Sequence, residues 1–258
     1  MHVEWGAAGL REVLRVTEIA VVVDVLTFST AVALASERGV RVHPHRAADA
    51  YAAKVAIRLG AHLAGPERPS ERGTGPERPS ERGTGPERPS ERETGPELQS
   101  LASLAGLGED DRVVLPSATG GALCLEAASR GVTVVVASLR NATAVGDWLL
   151  RQQRRVVLIA TGDRWHDGSF RMTVEDLLGA GAVLARLPRS MLSAEAKVAV
   201  DAFRASQADL PAVLRDCISG RELTTTGFGD DVGWAAESDV SSVVPVLDQG
   251  SFRPARDA

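Results

Sequence analysis

A run of β-branched residues that ends at an aspartate constrains the fold more than any other feature of the chain. Residues 19–26 read Ile-Ala-Val-Val-Val-Asp-Val-Leu, with no polar residue before Asp24. A strand that is apolar on both faces has to be covered on both faces, so this run predicts a central strand of a parallel or mixed sheet. Ser29 and Thr30 open an apolar segment that ends near Gly39, which predicts a helix directly after the strand.

The alternation of strand and helix continues along most of the chain. Residues 40–45 predict a second strand, residues 47–59 predict a helix, and Gly60 ends that helix. Thr173 predicts a further helix start, with Asp176 at the capping-box position. The alternation predicts a single layered α/β/α domain over residues 1–258, with a mixed, largely parallel sheet. Its remaining strands are expected over 112–115, 132–137, 155–160 and 243–247, and its remaining helices over 122–129, 142–153, 193–206 and 210–218.

A decamer repeat interrupts this pattern. The sequence Gly-Pro-Glu-Arg-Pro-Ser-Glu-Arg-Gly-Thr starts at Gly65 and recurs from Gly75 and, with one substitution, from Gly85, and a fourth start at Gly95 breaks off. The repeat contains no apolar residue and is rich in proline and glycine. It cannot bury enough surface to offset the entropy of ordering, so residues 65–97 are predicted to form a disordered or extended loop within the domain.

Composition excludes several classes of protein. The net charge is −5, so the chain has no basic surplus with which to neutralise a nucleic acid. Its two cysteines do not make a disulfide framework. The first residues lack the pattern of a signal peptide, and the apolar runs are too short to cross a bilayer. We therefore expect a cytoplasmic protein with no membrane partner, and composition leaves a homo-oligomer open.

Three loops rich in hydroxyls, glycine and acidic residues follow predicted strands. Asp24 closes the first strand, residues 117–121 follow the 112–115 strand, and residues 161–168 follow the 155–160 strand. Ligands of open α/β sheets bind beyond the carboxyl ends of the strands. Free N–H groups at helix starts suit an anion there, whereas each loop taken alone is better explained by ordinary N-capping. Together the three loops predict a phosphate site.

Asp24 has two explanations. A carboxylate that closes an apolar strand has to be paired, hydrogen-bonded or bound to a metal, because burying it alone costs several kcal/mol. The functional explanation is a metal ligand, and the structural one is a cap for the following helix.

Two familiar phosphatase signatures are not met. The haloacid-dehalogenase pattern requires a second aspartate where Leu26 stands. Cys124 and Arg130 have the spacing of a thiolate phosphatase, but the residues between them follow a helical pattern and include Glu126. We interpret that spacing as chance.

Short motifs in a fixed order resemble one known family. Val23-Asp24-Val25-Leu26-Thr27-Phe28-Ser29-Thr30 resembles an Asp-Val-Leu-Arg-Ala-Ser/Thr-Thr motif, and Leu115-Pro116-Ser117-Ala118-Thr119-Gly120-Gly121 stands where that family has Thr-Thr-Asn-Gly-Thr. Further matching segments lie at 63–68, 139–142, 160–181, 219–223 and 227–232. In this order they resemble the 2-phosphosulfolactate phosphatases of the coenzyme M pathway, also called ComB-like.

The resemblance implies a Mg²⁺-dependent phosphatase that releases sulfolactate and phosphate from a small phosphorylated acid. Magnesium prefers carboxylates, substrate oxygens and water in an octahedron. The resemblance implies Asp24, Glu67 and Glu175 as ligands, with Asp176 in support. It further implies Arg68 and Arg221 as anion clamps, Asp231 as a catalytic base, and Ser29, Thr30, Ser117, Thr119 and Gly120 as a phosphate cradle.

The chain departs from the family pattern at several points. Thr27 replaces an arginine, Thr119 replaces an asparagine, and the decamers interrupt the loop that carries Glu67. The ligand role expected of Glu67 is open to its repeats, Glu77, Glu87 and Glu97. These departures keep a second hypothesis open, a non-catalytic anion-binding protein with the same fold.

Overall fold

The structure is a computed structural model that describes residues 1–64 and 100–255. Within these residues one sheet has nine strands in the order β1-β7-β2-β6-β10-β11-β3-β5-β4, and β8 and β9 form a separate small hairpin. The strands are β1 His2–Trp5, β2 Ile19–Val23, β3 Arg41–His45, β4 His62–Leu63, β5 Arg112–Pro116, β6 Thr133–Ala137, β7 Val156–Ala160, β8 Asp163–Arg164, β9 Phe170–Arg171, β10 Pro245–Asp248 and β11 Ser251–Pro254.

Helices cover both faces of this sheet, which confirms the layered α/β/α prediction. In β2, Ile19, Val21 and Val23 pack into one apolar cluster, while Ala20 and Val22 pack into the other. The first cluster is shared with α6 to α11, and the second with α1, α2, α4 and α5. The helices are α1 Gly6–Val13, α2 Phe28–Glu37, α3 Ala50–Leu59, α4 Leu101–Leu104, α5 Gly120–Ala128, α6 Ala142–Arg151, α7 Val174–Leu184, α8 Ala194–Ser206, α9 Leu210–Asp216, α10 Ile218–Thr225 and α11 Gly229–Ala236.

The hairpin of β10 and β11 joins two groups of parallel strands. In one group β2 pairs in parallel with β6 and β7, and β7 with β1. In the other, β5 pairs in parallel with β3 and β4. Because β10 is antiparallel to β6, β11 to β10, and β3 to β11, the two groups run in opposite directions along the sheet. The sheet is therefore mixed and largely parallel, as predicted.

Close helix packing on one face of the sheet depends on a glycine. A Cβ atom on Gly181 of α7 would lie 2.1 Å from the carbonyl oxygen of Ala199 in α8. The two helices thus approach each other at a point where only hydrogen fits. This contact holds α8 against the helix that also carries two acidic residues of interest, Glu175 and Asp176.

Several sequence predictions differ from the structure in their bounds. The strand predicted over 19–26 ends at Val23, and the final strand is followed by β11, which the sequence reading did not include. The short helices α10 and α11 were also not predicted. The repeat at 65–97 lies outside the described residues, so its predicted conformation stays a prediction. Within 1–64 and 100–255, no helix has the length and apolar character needed to span a bilayer.

Candidate functional site

Asp24 lies against the first turn of α5. Thr119 Oγ1 donates a hydrogen bond to Asp24 Oδ2 at 2.8 Å, and the backbone N–H of Gly120 donates to the same oxygen at 3.1 Å. The aspartate is 6% exposed. It occupies the position that an anion takes at a helix N-terminus, where free N–H groups point outward. The Asp24 side chain therefore caps α5, and its backbone carbonyl also accepts from the N–H of Ser29 in α2 at 2.8 Å.

Gly120 is required by this close approach. A Cβ atom at this position would lie 2.4 Å from Phe28 Cδ1 and 2.9 Å from Asp24 Oδ2. Both distances are shorter than van der Waals contact, so any side chain at residue 120 would push the ring or the carboxylate aside. The glycine lets the α5 backbone reach the end of β2.

The Ser117–Gly121 turn reaches Asp24 although β5 and β2 belong to strand groups of opposite direction. Five strand-to-strand steps separate β2 from β5. Each step turns the strand direction by about 20–25°, so the accumulated twist swings the end of β5 toward β2. Helix α5 accordingly contacts both β2 and β3. The loops meet as predicted, although β2 and β5 do not belong to one group of parallel strands.

Ser29 and Thr30 hold the turn between β2 and α2. The backbone N–H of Asp24 donates to Ser29 Oγ at 2.8 Å, and Ser29 Oγ donates to the Val22 carbonyl at 3.3 Å. Thr30 Oγ1 donates to the Val25 carbonyl at 2.7 Å. Both hydroxyl residues are fully buried. These contacts give them a structural role, and their predicted part in a phosphate cradle stays a prediction.

Asp176 ties the turn after β2 to the loop after β7. The backbone N–H of Val25 donates to Asp176 Oδ1 at 2.8 Å. Asp176 Oδ2 accepts from Thr161 Oγ1 at 3.0 Å, from the Gly162 N–H at 2.9 Å and from Thr173 Oγ1 at 2.8 Å. The Thr173 hydroxyl thus bonds the Asp176 side chain and makes no side-chain cap to a backbone N–H. Thr173 starts α7 as predicted, but the capping box is replaced by this contact.

Three buried acidic residues lie near one another. Asp24, Glu175 and Asp176 are each 6% exposed or less. Burial raises the pKa of Asp176 well above its ordinary value, and the charges of Asp24 and Glu175 raise it further. Hydrogen bonds from Val25 and Thr173 oppose this rise in pKa. The group therefore favours either a bound proton or a cation.

The thiol of Cys217 faces this acidic group. Burial, followed by the charge of Glu175, raises the pKa of Cys217 to about 12. Its Sγ accepts a hydrogen bond from the Gly220 N–H at 3.3 Å at the start of α10. At neutral pH the residue is a neutral thiol, so it is not a nucleophile. Cys124 is likewise buried within α5, where burial raises its pKa, which agrees with the rejection of a thiolate-phosphatase loop.

Two of the expected metal ligands suit a magnesium ion, and one is otherwise engaged. Both oxygens of Asp176 accept hydrogen bonds, and the carboxylates of Asp24 and Glu175 are oxygen ligands of the kind that magnesium prefers. Glu67, its repeats Glu77, Glu87 and Glu97, and the predicted clamp Arg68 lie outside the described residues. Within the described ranges, no three His, Cys, Asp or Glu side chains form a metal cluster by themselves. Magnesium commonly uses only one or two carboxylates together with substrate phosphate, so Asp24 and Glu175 fit it.

Two other predicted residues are engaged on separate helices. The Arg221 side chain is 57% exposed and pairs with Asp216, with Nη1 and Oδ1 3.0 Å apart. Asp231 is buried and accepts a hydrogen bond from the Leu101 N–H at 3.0 Å, at the start of α4. Their predicted roles in catalysis stay predictions.

Arg171 is a buried cation that sequence reasoning missed. Its Nη2 donates to Asp163 Oδ2 at 2.7 Å, to Ser219 Oγ at 3.3 Å and to Glu222 Oε2 at 3.4 Å. Its guanidinium carbon lies 5.4 Å from the centre of the Trp165 ring. A single arginine between Phe and Met carries no motif, so only the folded contacts with the β8 strand and α10 distinguish it.

The fold and this group of residues define a layered α/β protein with a buried acidic site at the end of its central strand. A family model described as 2-phosphosulpholactate phosphatase matches residues 99–250, more than half of the chain. The chain therefore belongs to that family, which confirms the resemblance of its motifs.

Curated relatives agree with this membership. The chain is 31% identical over 141 residues to the probable 2-phosphosulfolactate phosphatase of Carboxydothermus hydrogenoformans, covering 54% of this chain and 56% of that one. It is 27% identical over 141 residues to the probable 2-phosphosulfolactate phosphatase of Thermotoga petrophila, covering 55% and 59%. The matched stretch thus spans little more than half the length of these relatives.

Proposed function

We propose that this chain is a magnesium-dependent phosphatase that converts 2-phosphosulfolactate, or a closely related phosphorylated acid, into sulfolactate and phosphate. The observation that carries the proposal is the meeting of Asp24, Glu175 and Asp176 beside the start of α5. Family membership and the names of the curated relatives support this reaction. Such a site combines an acidic group suited to a divalent cation with hydroxyls suited to a phosphoryl group.

Asp24 and Glu175 would hold the magnesium ion. Bound there, the ion supplies charge neutralisation of the phosphoryl oxygens and a lowered pKa for an attacking water. Three buried carboxylates repel one another, so a cation among them also stabilises the fold of the site. Asp176 would act indirectly, since its hydrogen bonds to Val25, Thr161, Gly162 and Thr173 fix the two loops that flank the ligands.

The chain's other polar groups position the substrate in this proposal. Thr119 and Gly120 fix the orientation of Asp24 through its Oδ2 atom. Ser117 Oγ lies 3.2 Å from Thr119 Oγ1, so the two hydroxyls form one polar edge next to the carboxylate. We assign this edge to the phosphoryl oxygens. Asp231 as base and Arg221 as clamp remain part of the proposal, and each would require a rearrangement of its present contacts.

Phosphate release with and without magnesium tests the proposal. The chain is assayed with 2-phosphosulfolactate and a panel of phosphomonoesters, together with Asp24→Asn and the exposed control Asp110→Asn. We expect Asp24→Asn to lower kcat/KM by at least about a hundredfold, because it removes a ligand charge, and Asp110→Asn to have no effect. Turnover that is independent of magnesium, or full activity of Asp24→Asn, would refute the assignment.

An anion-binding protein without turnover is the second candidate. The observation that favours it is that two residues predicted to act in catalysis, Asp231 and Arg221, make other contacts, with the Leu101 N–H and with Asp216. Calorimetry with phosphate and sulfolactate separates the two functions. Binding without phosphate release from any ester would favour the second candidate, and rapid turnover excludes it.

A further inference from the structure

An apolar stripe lies on the outer side of the segment that leads from β9 into α7. Phe170, Met172 and Val174 are 47%, 64% and 50% exposed, whereas Arg171 and Thr173 between them are buried. Single exposed apolar residues are ordinary on a protein surface. Three at alternate positions of one segment form a continuous patch, which is typical of an interaction surface.

The backbone of the same segment has an open edge. The N–H of Trp165 donates to the Ser169 carbonyl, and Arg164 lies opposite Phe170 in the next pair along the hairpin. Because hydrogen-bonded and non-hydrogen-bonded pairs alternate in an antiparallel ladder, the backbone groups of Phe170 point away from β8. Neither the N–H nor the C=O of Met172 bonds to another residue within 1–64 and 100–255. The outer side of β9 therefore offers unpaired backbone groups next to the apolar stripe.

This edge lacks the usual protection against pairing. Sheet edges that stay unpaired commonly carry a charged residue or a proline that blocks another strand. Between residues 170 and 174 the exposed side chains are Phe, Met and Val. Residues 164–169 are exposed as well, so another strand can reach the hairpin from solvent. The segment thus has the features of a site for strand addition.

We propose that this edge pairs with the same edge of a second copy of the chain, in an antiparallel arrangement about a two-fold axis. Unpaired backbone groups require an extended strand as their partner, and a second copy supplies one with a matching pattern. When Met172 lies opposite the partner subunit's Met172, Phe170 lies opposite the partner subunit's Val174. Opposite side chains on one face of an antiparallel pair are in contact, so the two stripes join into one apolar surface. The same register directs the free backbone groups of Met172 at those of the partner subunit's Met172, and the two hairpins form one four-stranded sheet.

The size of the surface predicts a weak and reversible dimer. The exposed residues between 164 and 174 are fewer than the roughly 20–30 residues per side of a standard interface. The stripe supplies an apolar centre, and the polar residues of the hairpin turn supply a rim. We therefore expect a dissociation constant in the micromolar range.

Sedimentation of the full chain, from micromolar to submillimolar concentrations, tests the proposal. We expect the unsubstituted protein to pass from monomer to dimer over this range. Met172→Lys and Met172→Glu each place two like charges opposite each other at the two-fold axis, so each alone should raise the dissociation constant of the dimer by at least about tenfold. Val198→Lys is the matched control, because Val198 is 63% exposed but lies on α8, and it should leave the dissociation constant unchanged.

A mixture of the two charge variants tests the register. In an equimolar mixture of Met172→Lys and Met172→Glu, each lysine can face a glutamate, so dimers should form again. All variants should keep the Tm of the unsubstituted protein, since both substituted positions are exposed. A mixture that stays monomeric would contradict the two-fold register. A monomer at every concentration, or an unchanged dissociation constant in both charge variants, would overturn the proposal.

Cosedimentation with phosphatidylcholine and phosphatidylglycerol vesicles distinguishes a second copy from a lipid surface, which exposed aromatic residues also suit. We expect no binding to these vesicles. Vesicle binding that Met172→Glu abolishes, by a protein that is monomeric in solution, would assign the stripe to a membrane and refute the dimer.

Discussion

Replacing Gly120 by alanine tests whether the approach of α5 to the end of β2 sets the geometry of the site. The new Cβ atom would lie 2.4 Å from Phe28 Cδ1, 2.8 Å from Phe28 Cγ and 2.9 Å from Asp24 Oδ2. Phe28 is 4% exposed, so its ring has little room to move away. Overpacking of this kind typically costs about 1–3 kcal/mol. For a chain of this size each kcal/mol lowers Tm by about 2–4 °C, so we expect a decrease of about 2–12 °C.

Activity should fall more than stability in the same variant. Relief of the 2.4 Å contact requires Phe28, Asp24 or the start of α5 to move by up to about 1 Å, and misplacement on this scale costs about a hundredfold in rate. We therefore expect kcat/KM to decrease by about ten- to a hundredfold, measured by phosphate release beside thermal unfolding. The matched control is Gly233→Ala in α11, where a Cβ atom meets nothing within 4 Å. A helix interior gains about 0.5–1 kcal/mol from such a change. Unchanged Tm and activity in Gly120→Ala, or equal losses in the control, would refute the reasoning.

Two further predictions concern stability. Gly181→Ala should lower the free energy of unfolding by about 1–3 kcal/mol, because its Cβ atom would lie 2.1 Å from the Ala199 carbonyl oxygen. Urea titrations measure this change. A free energy of unfolding that is unchanged within error would contradict the close helix contact. The raised pKa of Asp176 means that the folded state keeps a proton which the unfolded chain releases near its ordinary pKa of 3.8. The protonated Asp176 side chain therefore contributes to stability below pH 3.8, and this contribution is lost as the pH rises toward the raised pKa of the folded state. In metal-free buffer, Asp176→Asn should lack this decline with pH, and identical pH profiles for the two proteins would contradict the shift.

Much of the α/β framework could be predicted because it follows from local pattern. The β2 strand, the α3 helix and its end at Gly60 appear where apolar runs and a glycine place them. The strand ends at Val23 and not at Leu26, because Val25 donates its N–H to the Asp176 side chain and not to a neighbouring strand. Side chains distant in sequence thus set the boundary that periodicity alone misplaces.

The turn of the β10–β11 hairpin was harder to predict from the sequence than the strands and helices of the framework. Its turn places Gln249 and Gly250 at φ values of 48° and 81°, as in a type I′ turn, where asparagine or aspartate before glycine is the usual pair. Glutamine in the first position hid the turn, so the reversal of direction between the two strand groups was not foreseen.

The site was predictable in its residues and not in their contacts. Asp24, Asp176 and the Ser117–Gly121 turn were expected near one another, and the structure brings them together. That Asp24 caps α5 joins residues 96 positions apart in the chain, which no local pattern encodes. Arg171 was missed because its importance comes from α10, a helix that sequence periodicity did not indicate.

The hairpin also bears on how the chain assembles during synthesis. Residues 245–254 supply the only link in the described sheet between the strand group of β6 and that of β3. All the other strands of the described sheet precede them in the sequence, so a nascent chain holds two half-sheets whose edges at β6 and β3 are open until residues 245–254 leave the ribosome. Exposed strand edges invite pairing with other chains. A polypeptide that stops before residue 245 would therefore be expected to aggregate, and a chaperone that shields those edges would be most needed before residues 245–254 emerge.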